Sequence, residues 1–186
     1  MQEKKRLLLT GYGAFHTHNE NPSLEVVRYF ESNFTDSFRL TTKILPVEFA
    51  RIEQEIDALY EDSFDLVIHL GLAASRDKVT PELFALNWLY SPDRKDNKGH
   101  LQTSGIKLQK DRGELAVKSE FPVEALSDYL ERQGVPSKVS AHAGTYICNS
   151  TFYYSLLKNP QAEFIHIPAD CDVERFSKAL SGFLSL

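Results

Sequence analysis

The chain opens with a short uninterrupted apolar run, Leu7-Leu8-Leu9, set between the charges of Lys4-Lys5-Arg6 and the pair Thr10-Gly11. A run of this length predicts a buried strand over residues 7–10, with Gly11-Tyr12-Gly13-Ala14-Phe15 as the loop that follows. Asn21-Pro22-Ser23 then has the form of a helix start: Asn21 suits the cap and Pro22 the first turn, and Leu24, Val27 and Phe30 repeat at helical spacing. A second strand is predicted over residues 40–46. Ile52, Ile56 and Leu59 mark one face of a helix over 49–60, and Asp65-Leu66-Val67-Ile68-His69-Leu70 reads as a central strand ending at Gly71. This β-α-β-α-β order points to a parallel sheet with helices on its faces.

The pattern is weaker over residues 72–118, where a strand is expected at 83–89 and a polar, turn-rich surface excursion at 91–113. It then resumes. Val123, Leu126 and Leu130 predict a helix over 122–134 stopped by Gly134. A strand at 137–141, a helix from Cys148 to about 158, a strand at 163–167 and a helix at 172–183 follow. The expectation is one α/β domain over residues 1–186, a three-layer α/β/α arrangement with a mostly parallel twisted sheet flanked by helices.

Composition narrows the function classes. The 186 residues suffice for one sizeable core, and 42% hydrophobic with 25% charged residues is ordinary for a soluble domain. A net charge of −5 gives no support to nucleic-acid binding. The first apolar run is too short for a secretion signal or a membrane span, so a cytoplasmic location and no membrane partner are expected. With two cysteines, Cys148 and Cys171, no disulfide framework is expected. His16-Thr17-His18 has no third ligand at metal spacing, so no metal is expected. Asn33-Phe34-Thr35 and Asn149-Ser150-Thr151 match the glycosylation pattern by chance in a chain without a secretion signal.

The residues that carry chemistry are Cys148, in Gly144-Thr145-Tyr146-Ile147-Cys148-Asn149-Ser150, and His166, in Phe164-Ile165-His166-Ile167-Pro168. A thiol becomes a strong nucleophile as its thiolate, and a helix start beside an imidazole is expected to lower its pKa. Nucleophile and base need to meet only in the fold. In open α/β sheets ligands collect beyond the carboxyl ends of strands. The loop after the first strand, the Gly71 turn, Cys148 and His166 all fall there. A third group must orient the imidazole, and composition alone does not choose among the carboxylates.

Three blocks resemble the pyrrolidone-carboxylate peptidases (pyroglutamyl peptidase type I), cysteine enzymes that remove an N-terminal pyroglutamyl residue. The first is Thr10-Gly11-Tyr12-Gly13-Ala14-Phe15 with Asn21-Pro22-Ser23. The second is Val79-Thr80-Pro81-Glu82-Leu83-Phe84-Ala85-Leu86-Asn87. The third joins Ala143-Gly144-Thr145-Tyr146-Ile147-Cys148-Asn149 to Phe164-Ile165-His166-Ile167-Pro168. They occur in family order over nearly the whole chain. The resemblance implies Cys148 as nucleophile, His166 as general base and acid, and Glu82 as the orienting carboxylate. It implies that Tyr12 and Phe15 flank a lactam ring, that Tyr146 and Ile147 line the same pocket, that Asn21 holds the loop or site, and that Gly71 and Leu72 offer backbone groups. Arg76 matches an arginine that supports the loop or the oxyanion. No cofactor is implied. The partners implied are peptides with N-terminal pyroglutamate and further copies of the chain, as a dimer or tetramer.

Several positions depart from the family pattern. Tyr12 stands for a phenylalanine, His16 for a glycine, Leu83 for a basic residue, His142 for a serine or threonine, and Thr151 for a hydrophobic residue. Asp96-Asn97-Lys98-Gly99 is retained, with Arg94 as an approximate counterpart of the family's upstream arginine. These departures motivate two other readings: a thiol amidase or thioesterase acting on a different small acyl group, and a non-catalytic binding protein that keeps the fold.

Overall fold

A computed structural model describes residues 4–14, 21–33 and 38–186. Phe15, the His16-Thr17-His18 cluster, and Phe34 and Thr35 lie outside the described residues. The first half is wound as the apolar pattern predicts. Strand β1 (Lys5–Tyr12) is followed by α1 (Pro22–Asn33), β2 (Phe38–Leu45), α2 (Ile52–Leu59) and β3 (Leu66–Leu72). Parallel pairing places β1 between β2 and β3, with Thr10 opposite His69. Two segments expected as turns belong to strands. Gly11 and Tyr12 continue β1 against Ile44 and Leu45, and Gly71 continues β3 opposite His166. Ladder hydrogen bonds carry these strands past the glycines at which the sequence pattern alone would end them.

The irregular middle is β4 (Thr80–Leu86), a hairpin of β5 (Leu89–Ser91) and β6 (Gln102–Ile106), and β7 (Ala116–Lys118). The excursion expected over residues 91–113 therefore contains a strand, β6. Four of its five residues are exposed, so no apolar alternation marks it in the sequence. Then come α3 (Val123–Arg132), β8 (Ser140–His142), α4 (Ile147–Leu156), β9 (Ala162–Ile167) and α5 (Val173–Leu184). Asp172 caps α5 by accepting the Arg175 N–H at 3.0 Å.

The main sheet runs β2-β1-β3-β9-β4-β7, with β8 also paired to β4. It is parallel through β9, antiparallel at β9–β4 and β4–β7, and parallel at β4–β8. The result is one α/β domain with a mostly parallel mixed sheet. Alternation along the strands divides the core into two. Leu7, Leu9, Ile68, Leu70, Ile165 and Ile167 meet α1, α3 and α5 on one face. Leu8, Val67, Ala162 and Phe164 meet α2 and α4 on the other. On that second face His69 is fully buried between Thr10 Oγ1 at 2.7 Å and Ser155 Oγ at 2.6 Å, which satisfies both ring nitrogens.

Candidate active site

Helix α4 begins at Tyr146, whose extended backbone (φ −101°, ψ −168°) turns the chain into the helix. The helix is apolar or neutral throughout, and every residue in it except Cys148 is buried. Of its residues only Cys148 lines the cleft. Asn149 anchors this first turn: its Oδ1 accepts the Leu86 N–H at 2.7 Å, and its Nδ2 donates to Leu86 O at 2.9 Å and Trp88 O at 3.0 Å. The turn before the helix needs Gly144 at φ +85°, and its N–H donates to His142 Nδ1 at 3.1 Å.

His166 lies at the carboxyl end of β9 on the face of α4. Its Nδ1 contacts Glu82 Oε1 at 2.6 Å, with the imidazole 6% exposed and Glu82 fully buried. Arg76 reaches from the segment after β3 to Thr80 Oγ1 and Glu82 Oε1. Arg76 is thus directed at the carboxylate behind the imidazole. Gly71 lies beside the thiol. It pairs with His166 across the β3–β9 ladder, and a Cβ on it would fall 3.3 Å from Cys148 Sγ and 2.8 Å from the Phe164 ring. The strand approaches so closely that only glycine fits without movement.

Electrostatics fix the resting proton positions. Burial raises Glu82, but the His166 hydrogen bond and charge, then Ser140 and Arg76, outweigh it and hold the carboxyl below its ordinary value. Burial lowers His166 below its ordinary value against the pull of Glu82. Burial pushes the Cys148 thiol up to about 12, with Arg94 the largest influence in the other direction. This corrects the expectation of a lowered thiol pKa: desolvation outweighs the helix start and the neighbouring cations. The resting pair is a neutral thiol and a neutral imidazole. Glu82, ionised, accepts from Nδ1–H, which leaves Nε2 as the acceptor.

A recess and a cleft both border the thiol. The recess is narrow, about 30 Å³, and is lined by Tyr12, Asn21, Val47, Leu72, Arg94, Tyr146, Ile147 and Cys148. The cleft, of about 670 Å³, runs past Cys148 and His166 between residues 72–76, 90–94 and 143–146. Asn21 shapes the recess through its neighbours. It donates to Gly13 O at 2.9 Å and accepts from Ser23 Oγ at 2.8 Å, and Ser23 Oγ in turn receives the Tyr12 N–H at 3.0 Å. Tyr12 OH bonds Thr151 Oγ1 at 2.6 Å. The two departures at these positions therefore satisfy each other, and His142 finds its use in the Gly144 turn. Leu83 packs against the core on the opposite face.

Of the residues expected at the site, Cys148, His166, Glu82, Arg76, Gly71, Leu72, Tyr12, Asn21, Tyr146 and Ile147 are gathered here, and Phe15 lies outside the described residues. Arg94 and Asn149 had no place among the expected site residues. Arg94 lies over the Tyr146 ring, 5.4 Å from its centroid, and lines both spaces. Its loop is fixed by Asp96, which accepts from the backbone of Phe49, Lys98 and His100. The Asp96-Asn97-Lys98-Gly99 run was the available signal for that loop. For Asn149 the signal was its place directly after the cysteine.

Comparison with known proteins fits this geometry. The family model for pyroglutamyl peptidase matches residues 5–174. A pyrrolidone-carboxylate peptidase of Oceanobacillus iheyensis is 33% identical over 172 residues, covering 89% of this chain and 84% of the relative. Pyrrolidone-carboxylate peptidase 1 of Saccharolobus solfataricus is 34% identical over 167 residues, covering 87% and 78%. Among solved structures, pyrrolidone carboxyl peptidase from Thermus thermophilus superposes with a TM-score of 0.88 at 30% identity, over 96% of this chain and 98% of that one.

Proposed function

Because the chain belongs to the pyroglutamyl peptidase family, we propose that it hydrolyses the N-terminal pyroglutamyl residue from peptides with Cys148 as nucleophile, His166 as base and acid, and Glu82 orienting the imidazole. The observation that carries this reading is the Glu82–His166 bond at 2.6 Å beside the one thiol of α4 that opens to the cleft. The pyroglutamyl ring is small, flat and uncharged, and the recess beside Cys148 is narrow and walled by Tyr12, Tyr146 and Ile147. The peptide beyond the scissile bond would lie in the larger cleft.

The chemistry follows from the resting proton positions. As Sγ attacks the pyroglutamyl carbonyl carbon, the thiol proton passes to His166 Nε2, and Glu82 stabilises the imidazolium that forms. The carbonyl oxygen becomes an oxyanion beside the first-turn N–H groups of α4, which have no intrahelical acceptor. The tetrahedral intermediate collapses as His166 gives its proton to the leaving amine; the C–N bond breaks and a thioester to Sγ remains. Water then attacks the thioester carbonyl as its proton moves to Nε2. The C–S bond breaks, pyroglutamate leaves, and the proton returns to sulfur. A neutral lactam held through its N–H and ring C=O also separates pyroglutamyl from prolyl substrates, because proline would leave a pocket donor unpaired.

The same reading carries a cytoplasmic homo-oligomer. It is supported by exposed apolar side chains on and around the β5–β6 hairpin, Trp88, Tyr90, Leu101 and Ile106. Among the described residues no helix is long and apolar enough to cross a membrane. Sedimentation of the purified protein tests the assembly. Release of a coumarin from its pyroglutamyl amide under reducing conditions, with Cys148→Ala and Cys148→Ser in parallel, tests the activity. Turnover by the parent and none by the variants is expected. Equal turnover by the variants, or preference for a prolyl amide, refutes the reading.

A further inference from the structure

Glu163 is a carboxylate on β9 that the reaction above does not use, and it is fully buried. Alternation along β9 sends His166 to the face of α4 and Glu163 to the opposite face. Pairing of β4 with β9 covers Thr80 and Pro81, and pairing with β7 begins at Phe84. Leu83 O is taken by the Ser119 N–H at 3.0 Å. Glu82 itself is paired with Ser140 of β8. Glu163 Oε1 accepts the Glu82 N–H at 2.8 Å.

We infer that Glu163 is a positioning residue for the reaction: its carboxyl group pins the backbone N–H of Glu82 from the far face of the sheet and so fixes the direction of the Glu82–His166 hydrogen bond. The inference rests on the proposed roles of Glu82 and His166. The geometry couples the residues in sequence, since one N–H holds the backbone of the residue whose Oε1 meets Nδ1 at 2.6 Å. Glu163 can do this uncharged. Burial pushes its carboxyl well above the ordinary range, and the neighbouring Glu82 charge adds to that. Its second oxygen has no hydrogen-bond partner among the described residues. A neutral Glu163 leaves Glu82 as the single negative charge behind the imidazole, facing Arg76, while Arg94 and Cys148 face His166 from the cleft.

Glu163→Gln keeps an acceptor of the same length, and Glu163→Met keeps the bulk without one. Two readouts apply to both variants: kcat and KM against pH on a pyroglutamyl amide, and the downfield proton resonance of His166 Nδ1–H measured without substrate. Glu163→Gln is expected to keep kcat, the acid limb and the resonance. Glu163→Met is expected to lower kcat at least tenfold with KM within twofold, to move the acid limb to lower pH as the Glu82–His166 pairing weakens, and to shift or broaden the resonance. A folded Glu163→Met with unchanged kcat, limb and resonance overturns the inference. So does a Glu163→Gln as impaired as Glu163→Met. If Glu163→Met does not fold, Glu163→Gln still decides: kcat and the resonance kept with the acceptor support the inference, and a tenfold loss of kcat or a moved resonance despite the retained acceptor overturns it. The resonance needs no turnover, so a protein inactive on pyroglutamyl amides with the expected resonance changes refutes the function and leaves the positioning role standing.

Discussion

Glu82→Gln keeps the shape of a fully buried side chain and removes its charge. In the parent, Oε1 meets His166 Nδ1 at 2.6 Å and Arg76 contacts the same oxygen. With charge centres about 4 Å apart and an effective dielectric of about 20, the carboxylate attracts the imidazolium formed during attack by about 4 kcal/mol. At about 1.4 kcal/mol per factor of ten, that is about three orders of magnitude in kcat. Two further effects act in the same direction. Arg76 loses its counter-charge beside the imidazole. A glutamine that turned its NH₂ toward Nδ1 would favour the tautomer with Nε2 protonated, which cannot take the thiol proton. KM should change little, because Glu82 lies behind the imidazole and does not line the recess. His166 already sits below its ordinary pKa, and Glu82 is the group that raises it. Removing that charge lowers it further, so the acid limb of kcat moves to lower pH while the plateau falls. Initial rates on a pyroglutamyl coumarin amide from pH 4 to 9, with circular dichroism as a folding control, read both. A folded variant that loses less than about tenfold in kcat, or whose acid limb moves upward, would refute the orienting role.

Gly71→Ala places a methyl 2.8 Å from the fully buried Phe164 ring and 3.3 Å from Cys148 Sγ. Overpacking of about 1–3 kcal/mol is expected, together with a fall in kcat larger than that destabilisation alone explains; urea unfolding and turnover of the same preparation check the pair. Asn149→Ala removes hydrogen bonds to Leu86 N, Leu86 O and Trp88 O. At about 1 kcal/mol each it should cost roughly 2–4 kcal/mol and lower the rate of Cys148 alkylation by iodoacetamide; an unchanged urea midpoint counts against the anchor. His69 is buried neutral, with its pKa lowered by burial from 6.5 to about 3. The unfolded chain therefore takes up the proton first as pH falls below 6.5, and stability drops by about 3 kcal/mol between pH 6.5 and 4 from this group. Urea midpoints over that range should fall less steeply in a folded His69→Gln variant, and an equal slope would exclude His69 as the cause.

Apolar spacing along the chain is enough to give the alternation of strands and helices, because it reports a buried face wherever one exists. The sequence marked Cys148 and His166 through their unusual settings, and the resemblance added Glu82 and the recess. The middle of the chain was less legible: β6 is almost wholly exposed, and β4 begins at Thr80, ahead of the apolar residues that suggested a strand at 83–89. Gly71 looked like a turn because a glycine after an apolar run usually ends a strand. The ladder to β9 and the need to pass close to Cys148 keep it in β3. Packing alone sets which groups meet across long stretches of chain. Tyr12 reaches Thr151, Arg94 reaches the recess, and Glu163 reaches Glu82 from the other face of the sheet. It also sets the resting charge state, since the Cys148 thiol is held up by the desolvation that packing imposes. Periodicity records which side of an element is buried; it carries no record of which distant side chain meets a given backbone N–H, nor of how much water is left around a thiol.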